Sequence, residues 1–130
     1  MNKIKYIKHT SKNCNNIEKC LFCEISKGNI SSNKVFDNNN IYAFLDINPQ
    51  APIHIIIVPK QHIDSLSIVS EEHIEILGMI QIYISKIAKQ FDELKNGFRV
   101  VNNCGIYGGQ TIYHLHYHLL GGKQLNWPPG

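Results

Sequence analysis

Residues His114-Leu115-His116-Tyr117-His118 alternate an imidazole with an apolar side chain. Successive side chains of an extended strand leave on opposite faces, so the three histidines share one face while Tyr113, Leu115, Tyr117 and Leu119 share the other. The run therefore asks for a strand, expected over 112–120, with one face in a core and the other lining a polar site. A single histidine is usually a satisfied core or surface residue. Three in register are harder to attribute to chance.

Two chemistries fit such a face. One is a zinc ion held by all three imidazoles, but same-face neighbours stand about 6.8 Å apart and the outer pair about 13 Å. Zinc wants each nitrogen within about 2.1 Å, so two of the three can converge on it but not comfortably all three. The other is a nucleophilic central imidazole, His116, which attacks with one ring nitrogen while the other is held by a hydrogen bond. Attack at an α-phosphorus would give a covalent nucleotidyl-histidine that water then hydrolyses. The loop before the run contains Gly105, Gly108 and Gly109, and glycines let successive backbone N–H groups face an anion. It lacks the Gly-Lys-Ser/Thr ending of a P-loop, so alone it is weak support.

Elsewhere a short helix is expected over 20–27, ending at Gly28. Strands are expected over 34–37 and 41–46, joined by the turn-forming Asn38, Asn39 and Asn40. A continuous apolar strand over 54–58 should end at Pro59. One long helix starts at Ser70, with an apolar stripe through Ile74, Leu77, Ile80, Ile84, Ile87 and Phe91. Ile76, Ile82 and Tyr83 widen that stripe, which fits either a well-covered core helix or one also buried by a second subunit. A further strand spans 98–102. The fold class is α+β, with a mostly antiparallel five-stranded sheet, one long helix and a short N-terminal helix.

At 130 residues the chain suits one domain, here residues 18–130, preceded by a Lys/Asn-rich arm over residues 1–17. Residues 1–19 hold five of the thirteen basic residues, and the body is close to neutral with Arg99 as its only arginine, which disfavours nucleic-acid binding. No apolar run is long enough for a membrane span and no export signal is visible, so the chain reads as cytoplasmic, with the nucleus also open to it. Without export, Cys14, Cys20, Cys23 and Cys104 are expected as thiols or metal ligands rather than disulfides.

The stretch Gly109-Gln110-Thr111-Ile112-Tyr113-His114-Leu115-His116-Tyr117-His118-Leu119-Leu120 resembles the motif of the histidine triad (HIT) superfamily. The ending Gly121-Gly122-Lys123-Gln124-Leu125-Asn126-Trp127-Pro128-Pro129-Gly130 resembles its HINT branch, the histidine triad nucleotide-binding proteins. Asp46-Ile47-Asn48-Pro49-Gln50-Ala51-Pro52, leading into His54, Pro59-Lys60-Gln61 and His62, is a third match. The superfamily's transferase branch has glutamine where this chain keeps His118, so the chain looks like a hydrolase. The resemblance covers residues 20–130.

It implies a homodimeric purine nucleoside phosphoramidase, which needs no cofactor and cleaves the P–N bond of AMP- or GMP-derived phosphoramidates and related aminoacyl adenylates. His116 would be the nucleophile, His118 and His54 would steady phosphate charge, and His114 would orient His116. Thr111 stands where serine is typical and keeps a hydroxyl for phosphate or leaving group. Asp46 would accept from the ribose hydroxyls, although it can equally cap the turn before Pro49. Leu21, Phe22, Ile25, Phe44 and Ile47 would form the slot for the base; on residue type alone all five are core candidates. Gly109, Gln110 and Asn103 would lie at the phosphate; the loop is one residue longer than usual, which leaves Asn102 and Asn103 both open to that role, with Asn103 favoured. Trp127 would approach the partner subunit's site, or simply pack at the terminus. Other HIT branches suggest a dinucleoside polyphosphate hydrolase, and a nucleotide-binding scaffold with incidental catalysis belongs to a third class.

Cys20-Leu21-Phe22-Cys23 has zinc-ligand spacing. Some HIT proteins pair such cysteines with residues like His62 and His114, which implies a possible structural zinc on Cys20, Cys23, His62 and His114. Reduced thiols near the pocket are the alternative and the preferred reading.

Overall fold

The computed structural model describes residues 20–130, so the expected arm, the start of the domain and Cys14 lie outside the described residues. Helix α1 (Leu21–Ser26) and strands β1 (Lys34–Asp37), β2 (Ile41–Leu45) and β3 (Ile53–Pro59) come first. Helix α2 (Ile74–Ala88) and strands β4 (Phe98–Val101) and β5 (Tyr117–Gly121) follow. The strands form one five-stranded sheet in the order β1-β2-β3-β5-β4, every neighbouring pair antiparallel. Among the described residues no helix is long and apolar enough to cross a membrane.

Strand periodicity gives the sheet two different faces. Ile41, Ala43, Ile55, Ile57, Tyr117 and Leu119 meet Ile80, Ile84, Ile87 and Ala88 of α2 in the main core. Tyr42, Phe44, Ile56 and Val58 point the other way and bury Phe22, Cys23 and Ile25 of α1 together with Cys20, which caps it. β3 is buried along its whole length because both its faces are covered.

α1 ends where expected: Gly28 adopts φ +83°, a conformation that costs glycine little, and its N–H reaches Ile25 O. The long helix departs from expectation at both ends. Ser70 opens a 3-10 turn over Glu71–His73, the α-helix proper beginning at Ile74, and the Ser70 N–H donates to Nδ1 of the buried His73 at 3.0 Å. Ile74 is exposed, because the first residue of α2 precedes the turn that meets the sheet. Phe91 lies past the helix end, introducing a second 3-10 turn over Asp92–Leu94 while still packing on the main core. Ile82, one of the widening residues, faces outward, whereas Ile76 and Tyr83 pack partly on the core.

The last strand is shorter than its alternation suggests. β5 pairs with β3 only from Ile57↔Tyr117 onward, so His114 and His116 precede the ladder. Pro59 has no N–H to continue β3's pairing, and the chain here is held by other bonds: Leu115 N–H to Ile63 O, and His114 Nε2–H to Pro59 O at 2.8 Å. The alternation of side chains outlives the pairing, since Leu115 still joins Tyr117 and Leu119 in the main core.

Candidate active site

The sheet face opposite α2 gathers the histidines. His54 and His118 sit on β3 and β5, and the register Ile56↔His118 puts them diagonally on that face. Their side chains meet, His54 Nε2 lying 2.8 Å from His118 Nδ1 and 3.3 Å from Asp46 Oδ2. The His116 and His118 rings are 5.1 Å apart, and Phe22 stands edge-on to His116 at 4.8 Å and to His114 at 6.0 Å.

Each ring's tautomer follows from a partner that can act in only one sense. A carbonyl only accepts, so His116 carries its proton on Nδ1, bonded to His114 O at 2.7 Å, and its Nε2 keeps the lone pair. A backbone N–H only donates, so His54 Nδ1 is the acceptor for Gln50 N–H at 3.0 Å, and His54 Nε2–H is shared between His118 and Asp46. His118 Nδ1 then accepts, and its Nε2–H is the donor left for a substrate. His114 donates Nε2–H to Pro59 O, and His62 donates Nε2–H to Asp64 Oδ1 at 2.7 Å. Their Nδ1 atoms turn to the cysteines: His114 Nδ1 is 3.2 Å from Cys20 Sγ and 3.5 Å from Cys23 Sγ, and His62 Nδ1 is 3.5 Å from Cys23 Sγ.

Burial keeps the site histidines neutral. His116 is held below the ordinary imidazole range chiefly by burial, opposed by its bond to His114 O and by Asp46. His118 is pushed down to about 4, first by burial and then by the neighbouring His116 and His54, with Asp46 opposing. His54 is lowered by burial against the pull of Asp46, and burial raises the Cys20 thiol to about 11.

Leu21, Phe22, Ile25 and Phe44 of the expected base slot lie together in the α1-side cluster, while Ile47 stands apart, 71% exposed. Asp46 Oδ1 caps the turn, one of its two expected roles, by accepting Asn48 N–H at 2.8 Å, while Oδ2 faces His54. Thr111 and Gly109 are exposed on the loop before the triad. Gln110 turns inward, its amide bonded to backbone groups. Asn103 Nδ2 is occupied by Gly108 O at 2.7 Å, and it is Asn102 whose Nδ2 reaches His116 O at 2.9 Å, with its Oδ1 buried and unbonded. Trp127 is 79% exposed, with the Arg99 guanidinium 5.9 Å from its ring centre.

The donor atoms of Cys20, Cys23, His62 and His114 all lie within 4.8 Å of one another. Cys23 is disulfide-bonded here, against the expectation of thiols or metal ligands. Once Cys23 is reduced the set fits zinc: two sulfurs and two Nδ1 atoms converge, and each imidazole is oriented from its far nitrogen, one by a carboxylate and one by a carbonyl. Asp64 and Gln50 are functional residues that residue type did not single out, whereas Asn102 was weighed and set below Asn103. Asp64 carried a signal, a carboxylate two residues beyond a candidate ligand, His62; Gln50 acts through its backbone N–H, which residue type does not announce.

The family profile described as "Scavenger mRNA decapping enzyme C-term binding" matches residues 19–126. A "14 kDa zinc-binding protein" of Zea mays is 47% identical over 112 residues, covering 85% of this chain and 87% of that protein. "Adenylylsulfatase HINT1" of Arabidopsis thaliana is 44% identical over 112 residues, covering 85% of this chain and 76% of that protein. The crystal structure of a HIT family hydrolase from Legionella pneumophila Philadelphia 1 superposes with a TM-score of 0.84 at 46% identity, covering 86% of this chain and 100% of that one. With the triad on one sheet face and relatives this similar over most of its length, the chain belongs to the histidine triad family of hydrolases.

Proposed function

We propose that the chain hydrolyses purine nucleoside 5′-monophosphoramidates and related aminoacyl adenylates through a nucleotidyl-His116 intermediate. The observation that carries this reading is the tautomer of His116: its Nδ1–H is fixed on His114 O, so a neutral ring presents the Nε2 lone pair. That lone pair attacks the α-phosphorus and the P–N bond breaks, its electron pair leaving with the nitrogen, which takes up a proton from solvent. Water then bonds to phosphorus and gives a proton back to solvent, the P–Nε2 bond breaks, and its electrons return to the ring. His118 Nε2–H, set by His54, donates to the charge that develops on the phosphoryl oxygens. Asn102 Nδ2 steadies the His116 backbone, and Asn103 Nδ2 holds the loop at Gly108 O. The same attack serves other leaving groups on the α-phosphorus, and the name of the Arabidopsis relative makes sulfate one to include.

Phe22 and Phe44 floor the slot for the base, and Asp46 Oδ2 is the acceptor nearest the ribose role. β4 lies at the sheet edge with Phe98 and Val100 exposed, which supports a homodimer paired through it. With Cys23 reduced, Cys20, Cys23, His62 and His114 would hold a structural zinc, which would crosslink α1, the segment after β3 and the triad; the maize relative's name agrees. Neither nucleic acid nor membrane is a partner in this reading, and the cytoplasm is its compartment.

The test is His116→Ala assayed with an adenosine phosphoramidate. Turnover should disappear while AMP binding persists, and turnover retained at wild-type rates would refute the assigned nucleophile.

A further inference from the structure

Gln110 makes more polar contacts than any reading of the catalytic face requires. It is 6% exposed. Its backbone N–H donates to Gly105 O at 3.0 Å, and its side-chain Oε1 accepts from Gly105 N–H at 2.9 Å. The two residues therefore clamp each other in both directions. Gly105 sits at φ +72°, a left-handed conformation that glycine adopts at little cost. At the other end, Gln110 Nε2 donates to Asp64 O at 2.8 Å and to Ile112 O at 3.2 Å.

Asp64 belongs to a short strap that fastens the site from behind. Its carboxylate holds His62, and the neighbouring Ile63 O accepts from Leu115 N–H, between His114 and His116. The Gly105–Gly109 turn would be tethered to this strap chiefly through Gln110. Within the turn, Gly109 N–H donates to Ile106 O, and Asn103 Nδ2 holds Gly108 O. Ile106 and Tyr107 at its tip are fully in solvent and supply no packing.

We infer that Gln110 is a positioning residue for phosphate recognition: its buried amide clasps the Gly105–Gly109 turn to Asp64, so that the turn and Thr111 stay aimed at the nucleotide phosphate. Gln110 itself touches no nucleotide. The inference rests on the nucleotide hydrolase reading above and adds the device that keeps its anion-binding loop in place. A turn aimed by a satisfied internal amide loses no entropy when phosphate arrives, whereas a loose one must be ordered at the cost of affinity.

The experiment compares AMP with adenosine by titration calorimetry on wild type, Gln110→Met and Gln110→Glu. Met has nearly the same length and no hydrogen-bonding amide; Glu keeps the acceptor for Gly105 and loses the donation to Asp64. AMP affinity should fall about tenfold or more in Gln110→Met and by less in Gln110→Glu, with adenosine affinity unchanged and kcat/KM lowered through KM. Ile82→Thr, at an exposed position of α2 outside the turn and the clasp, should bind AMP like wild type. Unchanged AMP affinity in Gln110→Met, or equal losses for AMP and adenosine, overturns the inference. Should Gln110→Met fail to fold, amide exchange in the wild-type protein decides: a Gly105 N–H protected far beyond Tyr107 supports the clasp, and one that exchanges as fast overturns it. A protein that binds AMP through the clasp but cleaves no phosphoramidate would sink the function reading alone. One that cleaves it with an indifferent Gln110 would sink only the clasp.

Discussion

Phe22 is where the short helix, the cysteine–histidine cluster and the nucleophile meet, and replacing it tests how they depend on one another. The side chain is 3% exposed and lies between Cys20 and Cys23 in sequence. Its ring stands edge-on to Phe44 at 5.7 Å and 65°, to His114 at 6.0 Å and 77°, and to His116 at 4.8 Å and 76°. Edge-to-face aromatic pairs contribute about 0.5–1.5 kcal/mol each beyond the area they bury. Phe22→Leu keeps much of the burial and loses all three edges, so it should cost about 1.5–4.5 kcal/mol; Phe22→Ala opens a cavity as well and should cost about 3–5 kcal/mol. Urea unfolding should show a lower midpoint with an unchanged m-value, and the melting temperature of Phe22→Leu should drop by roughly 6–18 °C. Because the ring braces His116 directly, kcat on a phosphoramidate should fall about tenfold even where the variant is fully folded. A Phe22→Leu protein that loses less than about 0.5 kcal/mol and turns over like wild type would show that the ring merely fills space.

His118, at about 4, lies below the ordinary imidazole value of 6.5. Above about pH 6.5 the ring is neutral in folded and unfolded chains alike; as pH falls toward 4 the unfolded ring takes a proton that the folded one refuses, so stability declines over that window and levels off below it. The ring is partly open to water, so the loss is on the order of 1 kcal/mol. His118→Asn should flatten that part of the stability curve, and an identical slope in wild type and variant would refute it. For the metal, protein purified without chelator should hold about one zinc per chain, and stripping it should lower the melting temperature; less than about a tenth of a zinc per chain removes the site.

Much of this architecture was legible because it depends on local periodicity. Leu115, Tyr117 and Leu119 declared a buried face, and the turns at Asn38–Asn40 and Gly28 fell where their residue types require. The start of β5 was not legible, since pairing at 114–116 depends on where β3 stops offering partners, a fact set by Pro59 more than fifty residues away. Ile74 and Phe91 misled for a similar reason: a stripe records which residues are apolar, not how far the helix runs over its sheet. In the site, the histidines were readable as a set. What each imidazole does was not, because the choice is made by Gln50 N–H, Pro59 O, His114 O and the Asp64 carboxylate.

Those four partners also separate metal chemistry from phosphorus chemistry on one face. Among the described residues a second group, Asp46, His54 and His118, brings its donor atoms within the same 4.8 Å as the cysteine cluster. Distance alone does not distinguish the two; protons do. His54 Nδ1 is committed as acceptor to Gln50 N–H, so a metal on Nε2 would have to displace the ring's only proton and leave an imidazolate. His118 Nδ1 already receives that proton. In the cysteine cluster the far nitrogens hold the protons and the near ones point inward, which is the arrangement a dication needs. The scaffold thus turns the Nδ1 lone pairs of two imidazoles toward the cysteine sulfurs and leaves the Nε2 of His116 without a proton. His114 belongs to both arrangements, its Nδ1 facing the cysteines while its carbonyl holds His116 Nδ1–H. The sequence reading left His114 to serve either His116 or a zinc ion; separate atoms of the same residue allow it to serve both.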